Sequence, residues 1–152
     1  VVAAILATSH TLRKLDLSYT ELRAEGAKAL APAIRDSASL TDLNLFGNNM
    51  GEEGGAAIAE SLKYNTSLVR LKSNFLGRTG CEVMAEALQV NSTLEVLEAP
   101  SNGIDAEGAL ILAAGISRNV SLTCIDLGLL DLDQSTRDSL RSAGAHLKEL
   151  KL

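Results

Sequence analysis

The stretch Leu40-Thr41-Asp42-Leu43-Asn44-Leu45-Phe46-Gly47-Asn48-Asn49-Met50 decides the fold. Leu43 and Leu45 alternate with polar residues at the two-residue period of a strand, and beyond them Gly54, Ile58 and Leu62 step by four, the period of a helix face. The same figure opens at Leu12, with Leu15, Leu17, Leu22, Gly26, Leu30 and Ile34 in the matching places, and again at Leu122, with Ile125 and Leu127. Leu68 and Leu94 open two further units and Leu147 begins another, so that successive first leucines lie 28, 28, 26, 28 and 25 residues apart. Every unit reads as a short strand followed by a helix. Strands joined by helical returns lie parallel, and the crossover defaults to the right hand. One unit has too few apolar side chains to offset the ordering of its backbone, so its stability must come from stacking on its neighbours.

Composition agrees with a packed array. The 152 residues are 46% hydrophobic and 22% charged, with mean hydropathy +0.13, which excludes a disordered tail and leaves room for one core. A net charge of −5 lacks the basic footprint that nucleic acid requires. The longest apolar runs, 1–7 and 109–115, fall well short of the roughly 18 residues of a membrane span, so a soluble chain without membrane insertion is expected. Two cysteines, Cys81 and Cys124, are too few for a disulfide framework and suit a reducing compartment. A cytoplasmic location follows as an expectation, with cytoskeletal or ciliary association included.

The string from Leu40 through Asn48 and Met50, followed by Gly54, Ile58 and Leu62, resembles the leucine-rich repeats of the ribonuclease-inhibitor-like class. That class includes ribonuclease inhibitors, activators of the Ran GTPase, the sensor ends of NACHT-type receptors, tropomodulin-like actin caps and ciliary scaffold proteins. The resemblance implies a right-handed α/β solenoid, a horseshoe segment with its parallel sheet on the concave side and its helices on the convex side. Residues 1–152 form a single array of about five units starting at Leu12, Leu40, Leu68, Leu94 and Leu122. Val2 and Leu6 fit the helix of a preceding unit, while Leu147, Leu150 and Leu152 start another strand, so a fragment of a longer protein is expected. Unlike ribonuclease inhibitors, the chain is poor in cysteine and keeps Asn at the turn.

Asn48, Asn74 and Asn102 are implied by the resemblance to lie buried at strand ends, their amides serving backbone groups of adjoining coils. Thr20 stands in that column in the first unit and still hydrogen-bonds, whereas Leu130 cannot, so the ladder should stop before the fifth turn. Asn65, Asn91 and Asn119 each head an Asn-x-Ser/Thr glycosylation string, but they recur just past the helices, where a left-handed Asn caps a helix end; caps are the expected role. Small residues at matching helix positions, among them Ala27, Gly55, Cys81 and Ala109, let parallel helices approach. The third unit is two residues short after Lys72, which leaves Ser73 in place of a buried Leu, and the fourth has Ala99 followed by Pro100. Thinning of the sheet is expected there, with a notch or shortened ladder at Ser73, Ala99 and Pro100.

Strand residues alternating with the buried leucines form two rows across the concave face, Lys14, Asp42, Arg70, Val96, Cys124, Glu149 and Asp16, Asn44, Lys72, Glu98, Asp126, Lys151. Their signs alternate in places, as befits a self-compensating ladder and also a polar docking surface. The rim carries Ser18, Tyr19, Phe46, Gly47, Ser73, Pro100 and Ser101, and Tyr19 and Phe46 are two of only four aromatic residues in the chain. The candidate partner-binding residues are therefore Tyr19, Asp42, Asn44, Phe46, Arg70, Lys72, Glu98 and Asp126. His10 and His146 stand at opposite ends outside any metal-spaced or nucleophile-bearing motif, and Gly51-Glu52-Glu53-Gly54-Gly55 lacks the Lys of a phosphate loop. No catalytic, cofactor or metal residues are expected. The function expected is a non-catalytic scaffold that binds protein partners, in a larger assembly or alone. The alternatives are a GTPase activator resembling the Ran-specific family and the sensor domain of a NACHT-type receptor.

Overall fold

A computed structural model describes residues 1–73, 76–100, 103–128 and 130–152. Strands and helices alternate along the chain. The order is α1 (Val2–Thr8), β1 (Lys14–Asp16), α2 (Arg23–Asp36), β2 (Asp42–Asn44), α3 (Gly51–Leu62), β3 (Arg70–Lys72), α4 (Gly77–Val90), β4 (Val96–Glu98), α5 (Ala106–Arg118), β5 (Cys124–Asp126), α6 (Gln134–Ala143) and β6 (Glu149–Lys151). The strands form one parallel sheet in the order β1-β2-β3-β4-β5-β6. Parallel strands sit about 4.8 Å apart whereas packed helices need about 8–10 Å, so the stack bends with its sheet on the inner side. This is the α/β solenoid that the repeat implied.

The centre of each strand points inward. Leu15, Leu43, Leu71, Leu97, Ile125 and Leu150 are register partners from β1 to β6, buried except at the two ends. Leu40, Leu68, Leu94 and Leu122 make the next layer of the core, and Ile34, Ile58, Leu62, Met84, Leu88, Leu112 and Ile116 reach it from the helices. Helices approach through small residues: Ala27, Ala59, Cys81 and Ala109 are wholly buried. At Gly115 a Cβ would lie 2.6 Å from Ala85 Cα, the contact that sets the spacing of α4 and α5. Among the described residues no helix is long and apolar enough to cross a membrane.

The expected notch is absent from the backbone. Ser73 N–H donates to the Glu98 carbonyl at 2.9 Å and Ala99 N–H to the Asp126 carbonyl at 2.6 Å, continuing the bonds of Leu17 to Asn44 and Leu45 to Lys72. Ser73 and Ala99 shrink a side-chain layer without breaking the ladder, because parallel pairing requires only backbone groups in register. Ser73 is also buried and does not belong to the rim.

Side-chain amides in two sequence columns bridge coils. Asn48 is fully buried; its Nδ2 donates to the carbonyls of Leu17 (2.7 Å) and Leu45 (2.9 Å), and its Oδ1 accepts from the N–H groups of Thr20 and Leu22. The matching Asn74 and Asn102 lie outside the described residues. In the last unit, where Leu130 stands in that column, the Arg137 guanidinium donates to the Leu130 carbonyl and, at 3.2 Å, to that of Leu132.

The second column, Asn65, Asn91 and Asn119, forms a spine, and here the expected left-handed geometry is wrong. Asn91 (φ −75°, ψ 127°) and Asn119 (φ −76°, ψ 140°) are extended, and Asn65 is not among the residues with positive φ. Capping is done by the side chain instead. Each Nδ2 reaches two carbonyls of the preceding coil, one at or near the end of its helix, and each Oδ1 accepts from two N–H groups that lead into the next strand. All three amides are buried, which withholds the glycosylation strings from a modifying enzyme in the folded chain.

Candidate functional site

The register places the two sequence rows on the open face of the sheet. Lys14, Asp42, Arg70, Val96, Cys124 and Glu149 are successive partners, as are Asp16, Asn44, Lys72, Glu98, Asp126 and Lys151. Over β1 to β4 lies an open depression of about 350 Å³, walled by Lys14, Asp42, Arg70, Lys72 and Glu98 among others.

Charges pair across this face, between neighbouring strands and, in β6, within one. Arg70 Nη1 lies 3.3 Å from Asp42 Oδ1, Lys72 Nζ 3.1 Å from Glu98, and Lys151 Nζ 3.6 Å from Asp126 and 3.2 Å from Glu149. Asp42 also accepts from the Thr41 hydroxyl at 2.7 Å. That bond first, then the charges of Lys14 and Arg70, holds its carboxyl below the usual range. Asp16, Asn44 and Asp126 also shape the turns: each accepts the N–H two residues on, from Ser18, Phe46 and Gly128, and so leads the chain out of its strand. The Ser18 hydroxyl and N–H, followed by the Asn44 amide, pull the Asp16 pKa down.

At the rim, Tyr19 is 73% exposed and meets Phe46 edge-on, with centroids 5.6 Å apart and planes at 76°. Tyr19 is left-handed at φ 56°, held there by its N–H bond to the Phe46 carbonyl. Its ring covers Gly47, where a Cβ would lie 2.5 Å from Tyr19 Cδ1. Lys72 Nζ stands 5.4 Å from the Phe46 centroid, within cation–π range. Thus Tyr19, Phe46, Lys72 and Glu98 form one contact chain, Asp42 and Arg70 form a second group beside it, Asn44 bonds Asp16 at 3.0 Å, and Asp126 sits apart towards β6. Pro100 is half-buried, and Ser101 lies outside the described residues.

Other places offer less chemistry. A wider groove of about 730 Å³ runs between α2 and α3, but its cations are engaged, Lys28 with Glu53 and Arg35 with Asp36. Burial pushes the Cys81 thiol up to about 12, and burial together with Glu149 raises that of Cys124, so neither is poised as a thiolate. Among the described residues no group of His, Cys, Asp and Glu is arranged to hold a metal ion. His10 and His146 are exposed, at the two ends of the stack.

A leucine-rich repeat family model matches residues 8–31 and 36–59. Human NACHT, LRR and PYD domains-containing protein 5 is 33% identical over 98% of this chain, and pig ribonuclease inhibitor 29% identical over 93%. This chain is a leucine-rich repeat protein of the ribonuclease-inhibitor-like class. Its leucine-rich coils also match Ran GTPase-activating protein 1 of Xenopus laevis, at 43% identity over 36% of the chain. The chain spans 13%, 32% and 9% of the lengths of these three relatives. Among solved structures, actin-binding site 2 of leiomodin-1 superposes on this leucine-rich array with a TM-score of 0.82 at 16% identity, covering 94% of this chain and 85% of that one.

Residue-type spacing located most of this face, because register follows from repeat length. Sequence reasoning left Lys14 out of the candidate site although it heads the first row. It also missed Arg137, whose polar helix position gave no hint that it closes the last turn.

Proposed function

We propose that this chain is a non-catalytic protein-interaction array of the cytoplasm that grips its partner with the concave sheet and the adjoining aromatic rim. The observation that carries the reading is the exposed Tyr19, braced by Phe46 and Gly47 beside the charged sheet. An aromatic held rigidly at a solvated surface loses little entropy on binding, and such residues dominate interface energetics. The contact group is Tyr19, Asp42, Asn44, Phe46, Arg70, Lys72, Glu98 and Asp126. Two unpaired thiols fit the compartment, and the likeness to a NACHT, LRR and PYD protein fits a sensor or scaffold segment within a larger polypeptide.

A random 16-residue peptide library panned on the chain tests this. Recovered peptides are expected to lose binding to Tyr19→Ala and Phe46→Ala and to keep it for Tyr64→Ala, which alters the α2–α3 groove. The reverse pattern would overturn the reading. The partial match to a Ran GTPase activator favours a second reading, activation of a GTPase. Added to Ran and related GTPases, the chain is expected to leave GTP hydrolysis at its basal rate; acceleration would replace the scaffold reading with the activator one.

A further inference from the structure

The concave face is electrically lopsided. On β1 to β3 the outward strand residues include the cations Lys14, Arg70 and Lys72 and the carboxylates Asp16 and Asp42; on β4 to β6 they include Lys151 against Glu98, Asp126 and Glu149. Availability sharpens the difference. Both Asp16 oxygens are used, Oδ1 by Ser18 and Oδ2 by Asn44, and both Asp42 oxygens are used by Thr41 and Arg70. Among the described residues no carboxylate lies within 4 Å of the Lys14 ammonium, whose charge reaches Asp42 only through space. Arg70 donates only Nη1 to Asp42 while its side chain is 60% exposed, so most of its five donors face solvent. Lys72 is paired with Glu98, so what β1 to β3 offer a partner is chiefly the donors and positive charge of Lys14 and Arg70, with spent carboxylates between them.

Lys14 and Arg70 flank Asp42 in one row, two strand spacings or about 10 Å apart. They border the same depression, and Tyr19 stands beyond the C-terminal end of β1. Building on the scaffold reading, we propose that the β1–β3 half of the concave face receives an acidic segment of a protein partner. Its carboxylates meet Lys14 and Arg70, and an apolar side chain next to them packs on Tyr19. The β4–β6 half, where Glu98, Asp126 and Glu149 outnumber the cation Lys151 that pairs two of them, disfavours the same segment by its net charge and so biases its position along the arc.

The test uses the whole chain and three fluorescein-labelled 12-residue peptides, each with one central Leu: one rich in Glu, one in Lys, one in Ser. Anisotropy is read at low and at high salt. The Glu peptide is expected to bind at least 10-fold tighter than the other two at low salt and to weaken at high salt. It is also expected to lose at least 10-fold on the double change Lys14→Glu and Arg70→Glu, and to hold its affinity on Lys148→Glu. All substituted side chains are exposed, and circular dichroism of each variant verifies the fold. Equal or tighter binding of the Lys peptide, indifference of the Glu peptide to the double change, or no binding by any of the three would overturn the acidic-partner inference. None of these results touches the library experiment, whose own failure would overturn the concave-face reading itself.

Discussion

Replacing Asn91 by Ala removes one amide and strands four backbone groups. Asn91 Nδ2 donates to the Leu62 carbonyl at 2.8 Å and the Asn65 carbonyl at 3.2 Å, while its Oδ1 accepts from Thr93 N–H at 3.0 Å and Leu94 N–H at 2.8 Å. The residue is 5% exposed, and Leu94 beside it is wholly buried. A buried group left without its partner costs about 1–3 kcal/mol. Thr93 is half-buried, so water reaches part of the site, and the two N–H groups dominate because each carbonyl retains a second lone pair. The expected loss is about 3–4 kcal/mol, a large share of the roughly 5–15 kcal/mol that holds a domain together. Asn91→Asp separates the two halves of the amide. It keeps the acceptor towards Thr93 and Leu94 but sets a carboxylate oxygen against the Leu62 and Asn65 carbonyls. That variant should lose at least as much at pH 7 and recover on acidification, since its folded pKa lies above the unfolded one and its penalty fades as pH falls through that value. Urea unfolding followed by far-ultraviolet circular dichroism measures both, with the m-value checked for constancy. A loss below about 1 kcal/mol for Asn91→Ala, or wild-type stability of Asn91→Asp at pH 7, would refute the claim that these amides hold coil to coil.

Arg23 sits at φ 55° where the equivalent Gly51 and Gly77 also have positive φ; Arg23→Gly should raise stability by about 1 kcal/mol in the same urea assay, by relieving a left-handed L-residue. Asp42, held down chiefly by Thr41, Asp105, held down chiefly by Arg78, and Asp133, held down chiefly by the Thr136 N–H, all have folded pKa values below their unfolded ones. Their contribution is present above the unfolded pKa, near 4, and lost as pH falls through the folded values, so the urea midpoint should hold from pH 7 to about 5 and drop below about 4. In the native chain, iodoacetamide at pH 7.5, roughly one unit below an ordinary thiol pKa, should modify half-buried Cys124 slowly and leave Cys81 untouched; equal rates in urea would confirm that burial is the cause.

The strands were readable because a repeat of fixed length converts spacing into register. Leu43 matches Leu71 and Leu15 by arithmetic alone, and the two-residue deletion after Lys72 kept alternation intact, so Arg70 still faces Val96. What failed was inference from residue type to backbone. Asn is tolerant of the left-handed region and also carries an amide long enough to bridge coils; the spacing of Asn65, Asn91 and Asn119 fits both, and the extended dihedrals of Asn91 and Asn119 together with the bonding of all three decide for the bridge. Ser73 and Ala99 misled in the opposite way, since a lost Leu side chain says nothing about a ladder made of peptide groups. The posture of Phe46, clasped between Tyr19 and Lys72, depends on two neighbouring coils at once and has no signature within its own unit.

The division of labour between the faces follows from where the coils are fastened. Coils are joined by strand bonds and, among the described residues, by amides: Asn48 at one end of its strand, and Asn65, Asn91 and Asn119 at the other end of theirs. Among the described residues every buried side-chain nitrogen and oxygen has a hydrogen-bond partner, so the buried scaffold asks nothing of the outward cations Lys14, Arg70, Lys72 and Lys151. Their ion pairs, between side chains that are mostly a quarter to a half exposed or more, add little to stability. Those cations are consequently open to change in charge at little cost to the fold, whereas Asp16, Asn44 and Asp126 hold turns. In β1 to β3 the available charge is cationic and lies beside a braced aromatic ring. The exposure, rigidity and sign of that combination are the features on which the proposed docking of an acidic partner segment rests.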